Sequence, residues 1–181
     1  TGSENMKCWR KAAELGLTGV APQRDVPAAI FKSSKIHARS VFRRDSPDVP
    51  FTDQNSTQSE NSIFVDPNDP DHVLQSNNST QNPVGSLFGA NYFFSNDFGQ
   101  TWGGSIQGAG GSNSGDPSTA IGLNGRQYVG FINAAFGMGV SYSDNGTSWT
   151  QIPASTSSNL DKNHLTIDNS PGSTYEGNVY N

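Results

Sequence analysis

Three carboxylates stand at matching places in three look-alike segments. Glu60 opens Glu-Asn-Ser-Ile-Phe-Val-Asp66, Asp116 opens Asp-Pro-Ser-Thr-Ala-Ile-Gly122, and Asp161 opens Asp-Lys-Asn-His-Leu-Thr-Ile-Asp168, with Lys162 and His164 following the acid. Carboxylates gathered on one rim can bind sugar hydroxyls, hold a cation, or divide the work of general acid and general base. The competing reading is that these acids solvate strand ends or cap loops. Other chemistries lack their residues. His37, His72 and His164 show no metal-ligand spacing, and the single cysteine, Cys8, offers no zinc site and no internal disulfide. There is no Gly-x-Ser-x-Gly nucleophile elbow. Gly108-Ala-Gly110-Gly111 lacks the third glycine of a dinucleotide fingerprint and opens no helix. Asp66, Asp69 and Asp71 form an acidic stretch without the EF-hand layout. Its two prolines make it a turn first and a Ca²⁺ site only second, so no cofactor is expected.

The elements that must hold these acids are short strands. Each acid-led segment is apolar or β-branched and ends at Asp or Gly. Each is followed by a turn: 67–71, Asn124-Gly125 and 169–172. A further strand follows each turn: 72–74, 127–132 and 178–180. Asn-Gly between apolar runs is a strong hairpin signal. Aromatic residues such as Tyr92, Phe93, Phe94, Tyr128 and Phe131 read as core.

A second pattern recurs on top of the first. Ser95-Asn-Asp-Phe-Gly-Gln-Thr-Trp102 and Tyr142-Ser-Asp-Asn-Gly-Thr-Ser-Trp149 share Asp, Gly, a hydroxyl residue and Trp at the same offsets. The tryptophans lie roughly 47 residues apart, within the range of solenoid, propeller and array repeats. Glycine supplies the positive φ of a tight turn, and Asp and Ser/Thr side chains can bond its amides. The tryptophan then covers the turn with its ring. Each octet is expected to be a self-stapled hairpin turn.

The octets resemble the Asp box, or BNR repeat, of sialidase-like β-propellers. Ser95, Asp97, Gly99, Thr101 and Trp102 match every defined position. Asp144, Gly146, Ser148 and Trp149 match as well, but Tyr142 stands where a hydroxyl residue belongs. The resemblance covers roughly residues 60–181 and implies four-stranded antiparallel blades with the boxes at the outer periphery, away from an axial pocket. Similar boxes occur in xyloglucanase-like and sortilin-like propellers, so they speak for fold rather than reaction. The fold expected is all-β: a partial propeller of about two and a half blades, over 60–112, 113–157 and 158–181. Its remainder is expected on a missing or separate chain. The resemblance implies a secreted or cell-surface bacterial protein that hydrolyses, processes or binds glycans. The alternative is a non-catalytic glycan- or protein-binding propeller. The ligand-binding residues expected at the axial mouth are Glu60, Asp116, Asp161 and Lys162. Sialidases hold the substrate carboxylate with three arginines and use a Tyr–Glu nucleophile and an Asp acid/base. Beyond residue 44 the only arginine is Arg126, and the Arg-Ile-Pro motif is absent. No sialidase catalytic residue is therefore assigned.

Charge divides the chain. Residues 1–44 carry nine of the eleven Lys and Arg, whereas 45–181 carry thirteen of the sixteen acids. Residues 6–16 read as a short helix within this basic extension. The basic residues are dispersed and interrupted by Pro22 and Pro27. They fit a clasp or pro-segment on the acidic β part better than a nucleic-acid or membrane-surface arm. Residues 45–59, with Pro47 and Pro50, read as a linker. No apolar run has the ~18 residues of a membrane span. Asn55, Asn77, Asn78 and Asn145 lie in Asn-x-Ser/Thr sequons, which carry little weight in a chain this rich in Asn.

Overall fold

The computed structural model describes residues 49–181, within one compact unit, Pro47–Asn181. The basic extension over 1–44 and its helix over 6–16 lie outside the described residues. The described residues are all-β, with no helix, and form antiparallel sheets. The first sheet contains β1 (Ser56–Val65), β2 (Val73–Gln81), β3 (Leu87–Ala90), β4 (Tyr92–Ser95) and β5 (Gly103–Ser105). Its order is β1-β2-β4-β5, with β3 also paired to β2. The second is a meander of β6 (Ser118–Ile121), β7 (Gln127–Ile132), β8 (Met138–Ser143) and β9 (Thr150–Pro153). The third is a two-stranded pair, β10 (Thr166–Ile167) and β11 (Val179–Tyr180). No sheet closes on itself among the described residues.

Turn chemistry places the hairpins where the sequence puts them. At Asn124-Gly125, Gly125 takes φ 77°, and Gly122 N–H donates to the Arg126 carbonyl at 2.9 Å. At the β1–β2 turn, Asp66 Oδ1 accepts the Asn68 amide at 2.8 Å. At the β10–β11 turn, Asp168 Oδ1 accepts the Ser170 amide at 2.9 Å. A short acidic side chain that bonds the amide two residues on initiates both turns.

The first strand begins at Ser56, inside the stretch read as a linker. Glu60 therefore does not open a strand. Ser59 faces Asn78 and Ser62 faces Ser76, so Glu60 and Asn61 together oppose Asn77 in a β-bulge, with Glu60 at φ 55°. β3 has no counterpart in the sequence reading, because 82–90 carries no alternation to announce it.

The core is small and half polar. Leu74, Ala90, Ala109, Ile121, Val129 and Phe131 form its apolar cluster, with Phe64, Tyr92 and Trp149 packed around it. Phe93 and Phe131 are buried as expected and Tyr92 packs on the cluster, whereas Phe94 and Tyr128 are only half-buried. Beside the cluster, Asn77 and Asn91 are wholly buried. Asn91 Oδ1 accepts the Asn77 amide at 2.9 Å, and Asn91 Nδ2 donates to Gln58 Oε1 at 2.9 Å and to Asn77 Oδ1. Mutual pairing removes the desolvation penalty that buried amides otherwise carry.

One contact repeats from sheet to sheet. β6 packs against both β1 and β10. Ser62 Oγ accepts the Thr119 amide at 3.0 Å, and Ser118 Oγ accepts the Leu165 amide at 2.9 Å. The same serine of one first strand thus holds the same amide of the next.

Candidate functional site

That repeated contact aligns three residues with left-handed backbones. Glu60 has φ 55°, Asp116 φ 55° and Lys162 φ 63°. Each stands two residues before the position of the bridging serine: Ser62, Ser118 and, in the third segment, His164. The register therefore makes Lys162, not Asp161, the counterpart of Glu60 and Asp116. The segment 161–168 is one residue longer than its two relatives. Counting from its acid shifted the sequence alignment by one. Left-handed φ is uncommon outside glycine and persists where neighbours over-determine it.

The neighbours do so here. Asn78 Oδ1 accepts the Asp116 amide at 2.7 Å, and Asn163 Nδ2 donates to the Asp116 carbonyl. Lys162 Nζ lies 3.2 Å from Glu60 Oε2, an exposed ion pair that joins the third segment to the first strand. The structure thus gathers Glu60 and Lys162 directly. Asp116 is tied to the residue after Lys162, and Asp161 is the exposed residue before it. The result is a mixed-charge group of two acids and a lysine rather than a ring of acids. Asn78 and Asn163, which brace it, carry no distinguishing signal in an Asn-rich sequence.

The two octets, 95–102 and 142–149, lie elsewhere and differ from each other. In the first, the Ser95 hydroxyl donates to Asp97 Oδ1 at 2.8 Å and accepts the Gly99 amide at 2.8 Å. Asp97 accepts the Thr101 amide at 2.8 Å and the Thr101 hydroxyl at 2.6 Å. The Trp102 indole N–H donates to the Gly99 carbonyl at 3.0 Å. The Thr101 hydroxyl first, then the Thr101 amide and the Ser95 hydroxyl, hold the Asp97 carboxyl down from 3.8 to about 2.

The second turn has the same wiring on different residues. Ser143 Oγ accepts the Gly146 amide at 2.9 Å. Asn145 Oδ1 accepts the Thr147 and Ser148 amides at 2.9 and 2.8 Å. Trp149 donates to the Gly146 carbonyl at 3.0 Å. Ser143 and Asn145 thus do the work of Ser95 and Asp97, and Asp144 does not. This turn lacks the residue that Phe98, with φ 58°, supplies in the first, so matching back from the tryptophan landed one place off. Asp144 instead makes a bidentate pair with Arg126, at 2.6 and 2.9 Å. The Arg126 guanidinium lies 4.7 Å from the Tyr142 ring centre. Its hydrogen bond lowers the Asp144 pKa and raises that of Arg126. Arg126, the sole arginine after residue 44, is therefore engaged at the β7 hairpin.

The acidic turn is also internally bonded. Asp66 Oδ1 accepts two turn amides, and Asp66 Oδ2 lies 3.2 Å from His72 Nδ1. The far nitrogen of His72 meets the Gln127 amide at 2.6 Å, joining the first sheet to the second. Among the described residues no group of three or more His, Cys, Asp or Glu is placed to share a metal ion. No described helix is long and apolar enough to cross a membrane. Compared with protein-family models, curated proteins and solved structures, the chain matches none.

Proposed function

We propose that the chain is part of a sialidase-like β-propeller and that the rim of Glu60, Asp116 and Lys162 lies at its axial mouth and takes glycans. The observation that carries this reading is the left-handed residue repeated in three neighbouring segments, at Glu60, Asp116 and Lys162, with two equivalent serine bridges, Ser62 to Thr119 and Ser118 to Leu165, joining one segment to the next. A radial array of sheets would bring such positions to one end of an axis. The two stapled turns agree with it, since they lie on other strand ends and hold their polar groups internally.

The unequal faces of the first strands fit the same arrangement. Thr119 and Ile121 on β6 are 5% and 0% exposed, and Leu165 is 4% exposed. Their counterparts on β1, Ile63 and Val65, are 63% and 45% exposed. A further sheet of the repeat is the partner proposed for that face. Secretion or display at a bacterial surface follows from the same resemblance.

A carboxylate and an ammonium side by side suit sugar hydroxyls, which both donate and accept hydrogen bonds. Glycan binding is tested by presenting a glycan array, sialosides included, to the whole chain, and hydrolysis by measuring turnover of the bound glycans. Binding with turnover supports the hydrolase. Binding without turnover supports a lectin-like propeller, which the Lys162–Glu60 pair favours because it engages one of the rim carboxylates. Absence of binding to every glycan sinks the reading.

A further inference from the structure

An exposed aromatic residue lies in a turn that is backbone-bonded to the segment carrying Lys162, in a conformation its type disfavours. Phe136, in the β7–β8 turn, has φ 59° and is 59% exposed. A bulky residue in the left-handed region is a genuine outlier. An exposed phenyl ring there adds hydration cost without packing gain.

The turn is built to keep it so. Asn133 Oδ1 accepts the Ala135 and Gly137 amides at 2.9 and 3.0 Å. The Asn133 carbonyl accepts the Phe136 amide at 2.9 Å. A side chain at Gly137 would meet the Ser155 carbonyl at 2.5 Å, so only glycine lets the turn close. The Phe136 carbonyl then accepts the Leu160 amide at 3.0 Å. Leu160 lies two residues before Lys162, a reach of at most about 7 Å. The strained turn and the ion-paired lysine are thus stitched to one segment.

Phe98 is also left-handed and exposed, but its strain belongs to the stapled turn. The Asp97 carboxylate beside it is bonded within that turn and is not free to orient a ligand there.

The geometry points to Phe136 as the apolar platform of the rim, stacking against the C–H face of a pyranose whose hydroxyls bond Lys162 and Glu60. This rests on the glycan reading above and adds the residue that sets ring stacking. Asparagine tolerates the left-handed conformation, so Phe136→Asn separates binding from folding. With the array glycan giving the strongest wild-type signal, F136N is expected to weaken binding by roughly tenfold or more while its Tm equals or exceeds that of wild type. F136W, which keeps a stacking face, is expected to retain binding. Equal binding by wild type and F136N overturns the platform and leaves the glycan reading standing. So does a loss of binding accompanied by a falling Tm, which marks a structural role. Failure of the wild-type chain to bind any glycan overturns both.

Discussion

Replacing Asn145 by alanine tests which residue staples the second turn. Its Oδ1 is the acceptor for the Thr147 and Ser148 amides and for the Thr147 hydroxyl at 3.0 Å. Each such bond contributes about 0.5–1.5 kcal/mol net. The turn is exposed, so water re-satisfies part of what is lost, and the expected destabilisation is about 1–2 kcal/mol, comparable to removing an Asn or Asp helix cap. For a domain of this size that lowers Tm by roughly 3–8 °C. Asp144→Ala removes an exposed ion pair and nothing from the turn, so its melting midpoint should stay close to wild type. Thermal unfolding followed by near-ultraviolet circular dichroism reads both, because Trp149 covers the turn and packs 5.1 Å from Tyr92. A larger loss from D144A than from N145A would refute the wiring through Asn145 and restore the sequence alignment.

Other outcomes follow from the same structure. Asp97, Asp144 and Asp168 all have lowered pKa values. A carboxyl depressed in the folded state stabilises the fold above its unfolded pKa and loses that contribution as protons bind. Stability should therefore fall from about pH 4 downward, with the Asp97 share vanishing near pH 2, as acid titration of the folded fraction would show. Leu74→Ala opens a cavity in the wholly buried cluster and should cost about 2–5 kcal/mol in urea unfolding. Ser118→Ala removes the acceptor of the Leu165 amide. It should cost about 1 kcal/mol and raise hydrogen exchange at Leu165. Gly104 has φ 139°, and a Cβ there would meet the Tyr92 carbonyl at 2.2 Å. Gly104→Ala should therefore detach β5, seen as lost amide protection at its pairing with Tyr92–Phe94.

Hairpins were legible in the sequence because their turns use residues with few alternatives. Asn124-Gly125 and the Asp66 and Asp168 turns lie where backbone preference alone puts them. The stapled turns were legible as a kind, through Gly and Trp, but not in detail. Asp144 satisfied a pattern by position while Asn145, one place on, satisfied it by geometry, since an amide oxygen accepts the same bonds as a carboxylate. The rim was misaligned for a related reason. Acid type singles out Asp161, whereas the property shared by Glu60, Asp116 and Lys162 is a left-handed backbone, which composition does not display. Phe136 was invisible for the opposite cause, since an aromatic beside a strand reads as core until its exposure is seen. The buried Asn77–Asn91 pair broke the apolar alternation that would have revealed the length of β2.

Nitrogen-15 chemical-shift mapping of the whole chain with its array-selected glycan tests the central claim most directly. Shifts concentrated at Glu60, Asp116, Phe136 and Leu160–Lys162 are the expected result. Shifts confined to the stapled turns, Ser95–Trp102 and Ser143–Trp149, with the rim silent, would contradict it.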